Sequence, residues 1–321
     1  MTGPSASEPT PRPFPQLGTP ARDHIDLVGV RAWGHHGVLP HETEAGQEFT
    51  ADVRLWLDTR PAAAADALGR TVNYAEVADV IVQGIHSGPH LLIETLANQL
   101  ASQVLASQVL VRRVELTVHK PSAPIPHPFA DVAVRVVRDA APTTAVLALG
   151  TNIGDREDHL RRALDLLEAA DGVDVIATGP VIETDPVGGV EQAAFLNSVV
   201  CVRTTRGPWE LLELAHVLEA DARRVREIRW GPRTLDVDVL TFGDLVQDDP
   251  DLTLPHPRVH ERAFALAPWD RMDPSARVPG HGAVADLLMR APDREGVRPG
   301  PEVGGFGHAV PWQESGEGPM S

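Results

Sequence analysis

From position 235 the chain alternates apolar and acidic residues: Leu235-Asp236-Val237-Asp238-Val239-Leu240. A period of two belongs to a strand, so Leu235, Val237 and Val239 face one way and Asp236 and Asp238 the other. That constrains the fold. One face must be covered by apolar structure, while the opposite face carries two carboxylates roughly 6–7 Å apart, a spacing that one or two Mg²⁺ ions can bridge. Arg233 stands just upstream, behind a cluster of Arg223, Arg224, Arg226 and Arg229. Oxygen ligands for a hard cation and forked donors for phosphates are what a magnesium–nucleotide site requires. A bare Asp-x-Asp also fits a solvated strand face. The lead Trp230-Gly231-Pro232-Arg233 favours the nucleotide reading.

The string from Arg229 to Leu240 resembles the hydroxymethyl-dihydropterin pyrophosphokinase family of folate synthesis. Three further segments extend the resemblance in the family's order. Ala148-Leu149-Gly150-Thr151-Asn152-Ile153-Gly154-Asp155-Arg156 is similar to its opening strand and turn. Glu183-Thr184-Asp185-Pro186-Val187-Gly188 and Phe195-Leu196-Asn197 are similar to its pterin-pocket segments. Leu254-Pro255-His256-Pro257-Arg258, then Glu261-Arg262-Ala263-Phe264, is similar to its late catalytic loop. The match runs from about Thr144 to about Leu288.

Composition limits what else the chain can be. Its 321 residues suffice for two domains. A net charge of −17 argues against nucleic acid or an anionic membrane as partner, so the arginines must act on small anions in a cleft. The single cysteine, Cys201, excludes an internal disulfide framework and fits a reducing, cytoplasmic setting; its apolar surroundings suggest a buried structural thiol. No apolar run is long enough to span a membrane. Residues 1–22 are expected to form a disordered leader and 299–321 a disordered tail. The break Arg138-Asp139-Ala140-Ala141-Pro142-Thr143-Thr144 places a linker at 139–143, between domains at 23–138 and 144–298.

The first half holds the only lysine, Lys120, and the only tyrosine, Tyr74, among 27 arginines. An amine can lose its proton where a guanidinium cannot, so a lone lysine in such a chain is a candidate acid/base. It is also a chance surface residue on the count alone. Tyr74 opens a helix of period 3.6 with Val77, Val80 and Ile81 apolar. Glu94 falls early in a second helical run, where the helix N-terminus favours a carboxylate. Glu42 reads as a loop residue, in Pro40-His41-Glu42-Thr43-Glu44 before Gly46-Gln47.

These pieces resemble dihydroneopterin aldolase over roughly His24 to Val137. The matching segments are Gly34-His35-His36-Gly37, Glu42-Thr43-Glu44-Ala45-Gly46-Gln47, Thr71-Val72-Asn73-Tyr74, Leu92-Ile93-Glu94-Thr95 and His119-Lys120-Pro121. The resemblance implies Lys120 as general acid/base, Tyr74 as proton relay and Glu42 as support. Glu94, with Ile93, would bind the pterin. A Lys120 Schiff base is the rival, but the pterin's own C=N bond can take the electrons, so neither imine nor metal is needed. His35 and His36 lack partners at ligand spacing and read as a turn element. Epimerases of the same side chain are close relatives of this family.

In the second half the resemblance implies transfer of a pyrophosphoryl group from ATP to the pterin's hydroxymethyl oxygen, with release of AMP. Asp236 and Asp238 would hold two Mg²⁺. Arg224 and Arg226 would close over ATP; Arg233, His256 and Arg262 would contact its phosphates. Thr184, Phe195, Asn197, Trp230 and Phe264 would line the pterin slot. Phe195 and Phe264 also fit as core, Arg262 as a surface ion pair with Glu261, and His256 as a plain loop residue.

The element order from Thr144 is strand, helix (157–170), strand, strand (195–203), helix (209–223), strand (235–242), the ferredoxin-like β-α-β-β-α-β arrangement. The first half reads strand, strand, helix, helix, strand, strand. Together with the resemblance this gives an α+β chain of two domains, an antiparallel-sheet tunnelling-fold (T-fold) unit and a ferredoxin-like unit. The two activities are consecutive: the aldolase's product is the kinase's acceptor. The expectation is a cytoplasmic bifunctional enzyme acting on pterins and ATP, homo-oligomeric (tetramer or octamer) through its first domain. The alternative is an active pyrophosphokinase whose first half is a noncatalytic or epimerase-type oligomerisation domain.

Overall fold

The computed structural model describes residues 23–186, 193–222 and 234–308. The first unit is built from β1 (His24–Gly34), α1 (Pro40–Ala45), β2 (Gln47–Trp56), α2 (Arg60–Ala65), α3 (Tyr74–His86), α4 (Ile93–Ser107), β3 (Arg113–His119) and β4 (Ala133–Asp139). Its sheet has the order β1-β2-β3-β4, antiparallel throughout. Alternation decides which face is covered. Phe49, Ala51, Val53 and Leu55 of β2, with Val114, Leu116 and Val118 of β3, all point to one side and are buried. Helix α3 meets them with Val77, Ile81 and Ile85, and α4 with Leu96, Leu100 and Val104, the helical spacing of an apolar stripe. The two helices close against each other at Gly84, where a Cβ would collide with Leu100.

Residues 140–142 lead into the second unit. It comprises β5 (Thr143–Thr151), α5 (Arg156–Glu168), β6 (Val173–Thr178), β7 (Ile182–Thr184), β8 (Phe195–Thr204), α6 (Pro208–Asp221), β9 (Asp236–Phe242), α7 (Ala263–Met272), β10 (Arg277–Val278), β11 (Gly282–Ala283), α8 (Val284–Arg290) and β12 (Val297–Pro299). Its sheet runs β12-β7-β8-β5-β9, and β6 pairs with β8 as well. The order β6-β8-β5-β9 with α5 and α6 on one face is the split β-α-β-β-α-β pattern the sequence suggests. Leu147, Leu149, Val200, Val202, Val237 and Val239 pack on α5 and α6. Val146, Ala148, Val199 and Leu240 face α7 and α8 on the other side. Cys201 packs there too, half-buried, and burial pushes its thiol up to about 12.

Two expectations need correction. Glu42 sits not in a loop but on the short helix α1, entered through Pro40 at its first turn. The second unit also does not end at 298. Strand β12 reaches Pro299 and pairs with β7. Val303 and Phe306 are buried in the core, and the His308 carbonyl accepts from the Thr178 N–H at 3.0 Å. The predicted leader and the tail beyond 308 lie outside the described residues.

Candidate functional sites

In the first unit, β3 ends at His119 and delivers Lys120 to the end of the sheet. Lys120 and Glu42 are both buried, and Lys120 Nζ lies 2.5 Å from Glu42 Oε1. Nζ also donates to the His36 carbonyl at 3.3 Å, and stands 5.9 Å from the centre of the Phe49 ring. The carboxylate receives two more donors, the Leu39 N–H at 3.0 Å on Oε2 and Gln47 Nε2 at 3.4 Å on Oε1. Burial alone would raise its pKa; the Lys120 bond and charge and the Leu39 N–H outweigh that and hold it below the ordinary value. Gly37 makes room: a Cβ there would overlap the Glu42 carboxylate.

His36 fixes the strand end that faces Lys120. Its Nδ1 accepts the His90 N–H at 3.0 Å, so the ring proton must sit on Nε2, which donates to the Ile85 carbonyl at 2.8 Å. Burial lowers its pKa and keeps this neutral form. Neither the role of His36 nor that of Gln47 is foreseen by the sequence, although both lie in motifs quoted above. Tyr74 and Glu94 stand at the first turns of α3 and α4 and are exposed, while Ile93 is buried. Within one chain the structure thus joins Lys120 to Glu42 and leaves Tyr74 and Glu94 facing outward.

In the second unit, strand register assembles the other site. Asp238 pairs with Ala148 and Asp236 with Gly150, while Gly150 pairs on its other side with Asn197 and Asn197 with Ile182. Paired residues share a face, so both aspartates, Gly150 and Asn197 lie on the α7 side. Asn197 Nδ2 donates to Thr184 Oγ1 at 2.9 Å, and Thr184 pairs with Phe195. His256 joins them because its N–H donates to the Leu240 carbonyl of β9 at 2.8 Å. Burial lowers the pKa of its imidazole; Arg262 and Arg258 add to that, while Asp238 and Asp236 pull against it, so these charges share one neighbourhood. The Arg262 guanidinium lies 5.4 Å from the centre of the Phe264 ring at the start of α7. Arg224, Arg226, Trp230 and Arg233 lie outside the described residues.

Among the described residues no group of three or more His, Cys, Asp or Glu gathers as a metal cage. The donor set still suits magnesium: two half-buried carboxylates on one face, beside cationic groups suited to phosphate, with room in the coordination sphere for substrate oxygens.

The dihydroneopterin aldolase family pattern matches residues 25–137, and that of 7,8-dihydro-6-hydroxymethylpterin-pyrophosphokinase matches residues 146–274. A dihydroneopterin aldolase of Streptomyces coelicolor is 50% identical over 116 residues, 36% of this chain and 97% of that protein. The 2-amino-4-hydroxy-6-hydroxymethyldihydropteridine pyrophosphokinase of Bacillus subtilis is 49% identical over 124 residues, 39% of this chain and 74% of that protein. The chain belongs to both families. It is a fusion of a dihydroneopterin aldolase with a pyrophosphokinase, a lyase joined to a transferase in folate biosynthesis. The structure is also similar to crystalline E. coli dihydroneopterin aldolase in complex with neopterin, at 25% identity over 36% of this chain and 98% of that one, with a TM-score of 0.34. No helix of the described residues is long and apolar enough to cross a membrane.

Proposed function

We propose that Lys120 is the general acid/base of the aldolase half and that Asp236 and Asp238 are the magnesium ligands of the kinase half. The observation that carries the first assignment is the buried Lys120–Glu42 pair at 2.5 Å. A buried ammonium held by one carboxylate and one carbonyl is fixed in place, and its protons move only toward a group that enters the cleft. In 7,8-dihydroneopterin the side-chain C2′ hydroxyl loses its proton, the C1′–C2′ bond breaks, and its electrons pass into the ring C6=N5 bond beside C1′. Glycolaldehyde leaves, and reprotonation at C1′ gives the hydroxymethyl pterin. Lys120 handles these protons in part through water, Tyr74 relays one, Glu42 holds Lys120, and Glu94 and Ile93 bind the pterin. No metal and no imine is needed.

Tyr74 and Glu94 complete the site from their exposed positions once copies of the chain assemble. The exposed apolar residues Trp33, Val38, Leu91 and Leu92, together with the open edges β1 and β4, support a homo-oligomer, tetramer or octamer, through this unit.

In the kinase half the attack is on the β-phosphorus of ATP, so catalysis rests on positioning and charge neutralisation. Asp236 and Asp238 would hold two Mg²⁺, which when bound neutralise the phosphate charge. His256 and Arg262 contact phosphates, with Arg224, Arg226 and Arg233 from the adjoining segments. Asn197, held by Thr184, orients the pterin between Phe195, Trp230 and Phe264. A cytoplasmic setting agrees with the single cysteine.

The test is AMP release from ATP and Mg²⁺ with 7,8-dihydroneopterin as the only pterin. AMP above the pterin-free control requires both halves to work in sequence. No AMP, with turnover restored by 6-hydroxymethyl-7,8-dihydropterin, would favour a noncatalytic or epimerase-type first half. The intact Lys120–Glu42 pair argues against that second reading.

A further inference from the structure

Arg70 belongs to the aldolase half by sequence, yet its side chain serves the other half. It ends a single 3₁₀ turn, Leu68–Arg70, shortly before Tyr74. Its Nε donates to Asp249 Oδ2 at 2.8 Å, and one terminal nitrogen donates to Asp249 Oδ1 and Asp251 Oδ2 at 2.7 Å each. The guanidinium also lies 4.7 Å from the centre of the Trp209 ring, at the start of α6. Arg70 is only 8% exposed. A planar fork matched to one carboxylate, shared with a second and stacked on an indole has a single geometry, which a lysine could not reproduce.

The segment it grips leads straight to the kinase site. Asp249 Oδ1 also accepts the Asp251 N–H at 2.9 Å, and the Asp249 carbonyl accepts the Thr253 hydroxyl at 2.9 Å. Gln247 and Leu254 close the loop with reciprocal backbone bonds of 2.8 and 2.9 Å. Just beyond this closure comes His256, whose N–H is bonded to Leu240, close along β9 to Asp238. Asp248, Asp249 and Asp251 crowd negative charge into the loop, and Arg70 offsets it.

A second contact between the halves provides a comparison. Arg60 pairs with Asp58 and, at 2.7 Å, with Glu213 of α6. It fastens the two units together and does not touch the 247–254 loop.

We infer that Arg70, a residue of the aldolase half, is a positioning residue for the kinase reaction: it fixes the 247–254 loop and thereby the placement of His256 against Asp238. This rests on reading the Asp236, Asp238 and His256 cluster as the kinase site. The two halves are then not independent modules, because one supplies a structural element of the other's active site.

The experiment compares Arg70→Ala, Arg70→Lys and Arg60→Ala in the full chain. AMP release is measured against ATP concentration with 6-hydroxymethyl-7,8-dihydropterin as acceptor, glycolaldehyde release in the same preparations, and melting temperature for each. Arg70→Ala should lower kinase kcat/KM for ATP about tenfold or more, with Arg70→Lys recovering part of the loss and Arg60→Ala staying within about twofold of wild type. Arg70→Gln carries the same expectation should Arg70→Ala not fold. Equal kinase losses in the Arg60 and Arg70 variants, unchanged kinase constants in Arg70→Ala, or parallel loss of AMP and glycolaldehyde would overturn it. A wild-type protein releasing no AMP would remove the kinase-site reading itself.

Discussion

Lys120 Nζ lies 2.5 Å from Glu42 Oε1, and both side chains are buried. Removing one member of a buried pair leaves the other charge without compensation, at a cost of about 3–5 kcal/mol. Glu42→Ala should therefore lower stability as well as aldolase turnover. Lys120→Ala leaves Glu42 with its Leu39 and Gln47 donors and should cut glycolaldehyde release by about a hundredfold or more. AMP release from the hydroxymethyl pterin should persist. Comparable loss of both activities in a folded Lys120→Ala protein would remove Lys120 from the aldolase assignment. Borohydride added during turnover should leave Lys120 unmodified; a stable adduct would revive the imine.

Beside that lysine, two histidines should respond to pH in opposite directions. His119 Nδ1 donates to Asp131 Oδ2 at 2.5 Å, and its Nε2 faces Asp52 Oδ2 at 3.3 Å. Burial pulls its pKa down, but the Asp131 bond and the charges of Asp131 and Asp52 outweigh that and raise it above 6.5. A raised folded value means that its stabilisation is fully present below the unfolded pKa and is lost as pH rises through the folded one. His36 is the reverse: its lowered value stabilises the fold above about 6.5 and fails as pH falls toward the folded pKa. Melting curves should show His119→Asn losing more stability at a pH of about 5.5 than at about 8.5. An equal deficit at both would mean that the imidazolium clamp contributes nothing.

Much of this is legible in the sequence. The alternation around Asp236 and Asp238 predicted β9 and the opposed faces of the second sheet, because a two-residue period admits one reading when one face is buried. The periodicity predicts helix α5 at 157–170, where it spans Arg156–Glu168, and β8 at 195–203, where it spans Phe195–Thr204. Helix α1 is hidden in the sequence because six residues are too few to express a period, although Pro40 signals its start. The last strand is hidden for a different reason. Pro299 and the glycines after it look like a chain end, yet an edge strand tolerates proline, and Val303 and Phe306 bury without any periodicity. Of the candidate site residues, Lys120 and Glu42 stand out in the sequence through their motifs, and the structure places them in contact. The Arg70 contact was not legible, because its partners lie some 180 positions away and no local pattern marks a bond made across the two halves.

Asp238 lies on the α7 face of β9, with His256 near enough for their charges to act on each other. Replacing it by alanine takes away one hard oxygen donor and leaves the covered face of the strand intact. AMP production by Asp238→Ala should fall by about a hundredfold or more at saturating Mg²⁺, with glycolaldehyde release unchanged. Wild-type AMP turnover in this variant would eliminate the carboxylate as a metal ligand.

Gly150 offers the finest probe of the pterin side. It pairs with Asp236 on one flank and Asn197 on the other, at the seam between the proposed metal and pterin ends of the site. A Cβ on Gly150 would lie 2.9 Å from Asn197 Oδ1. Asn197 is 4% exposed and its Nδ2 is tied to the Thr184 hydroxyl at 2.9 Å, so its amide has little room to turn away. The added methyl must push Asn197 off Thr184 and tilt the donors and acceptors offered to the pterin edge. Gly150→Ala should raise KM for the hydroxymethyl pterin about tenfold, the scale of one misplaced polar contact, with a much smaller change in KM for ATP. An equal rise in both would mean that the methyl disturbs Asp236 as much as Asn197, and an unchanged pterin KM would place the pterin elsewhere on this face.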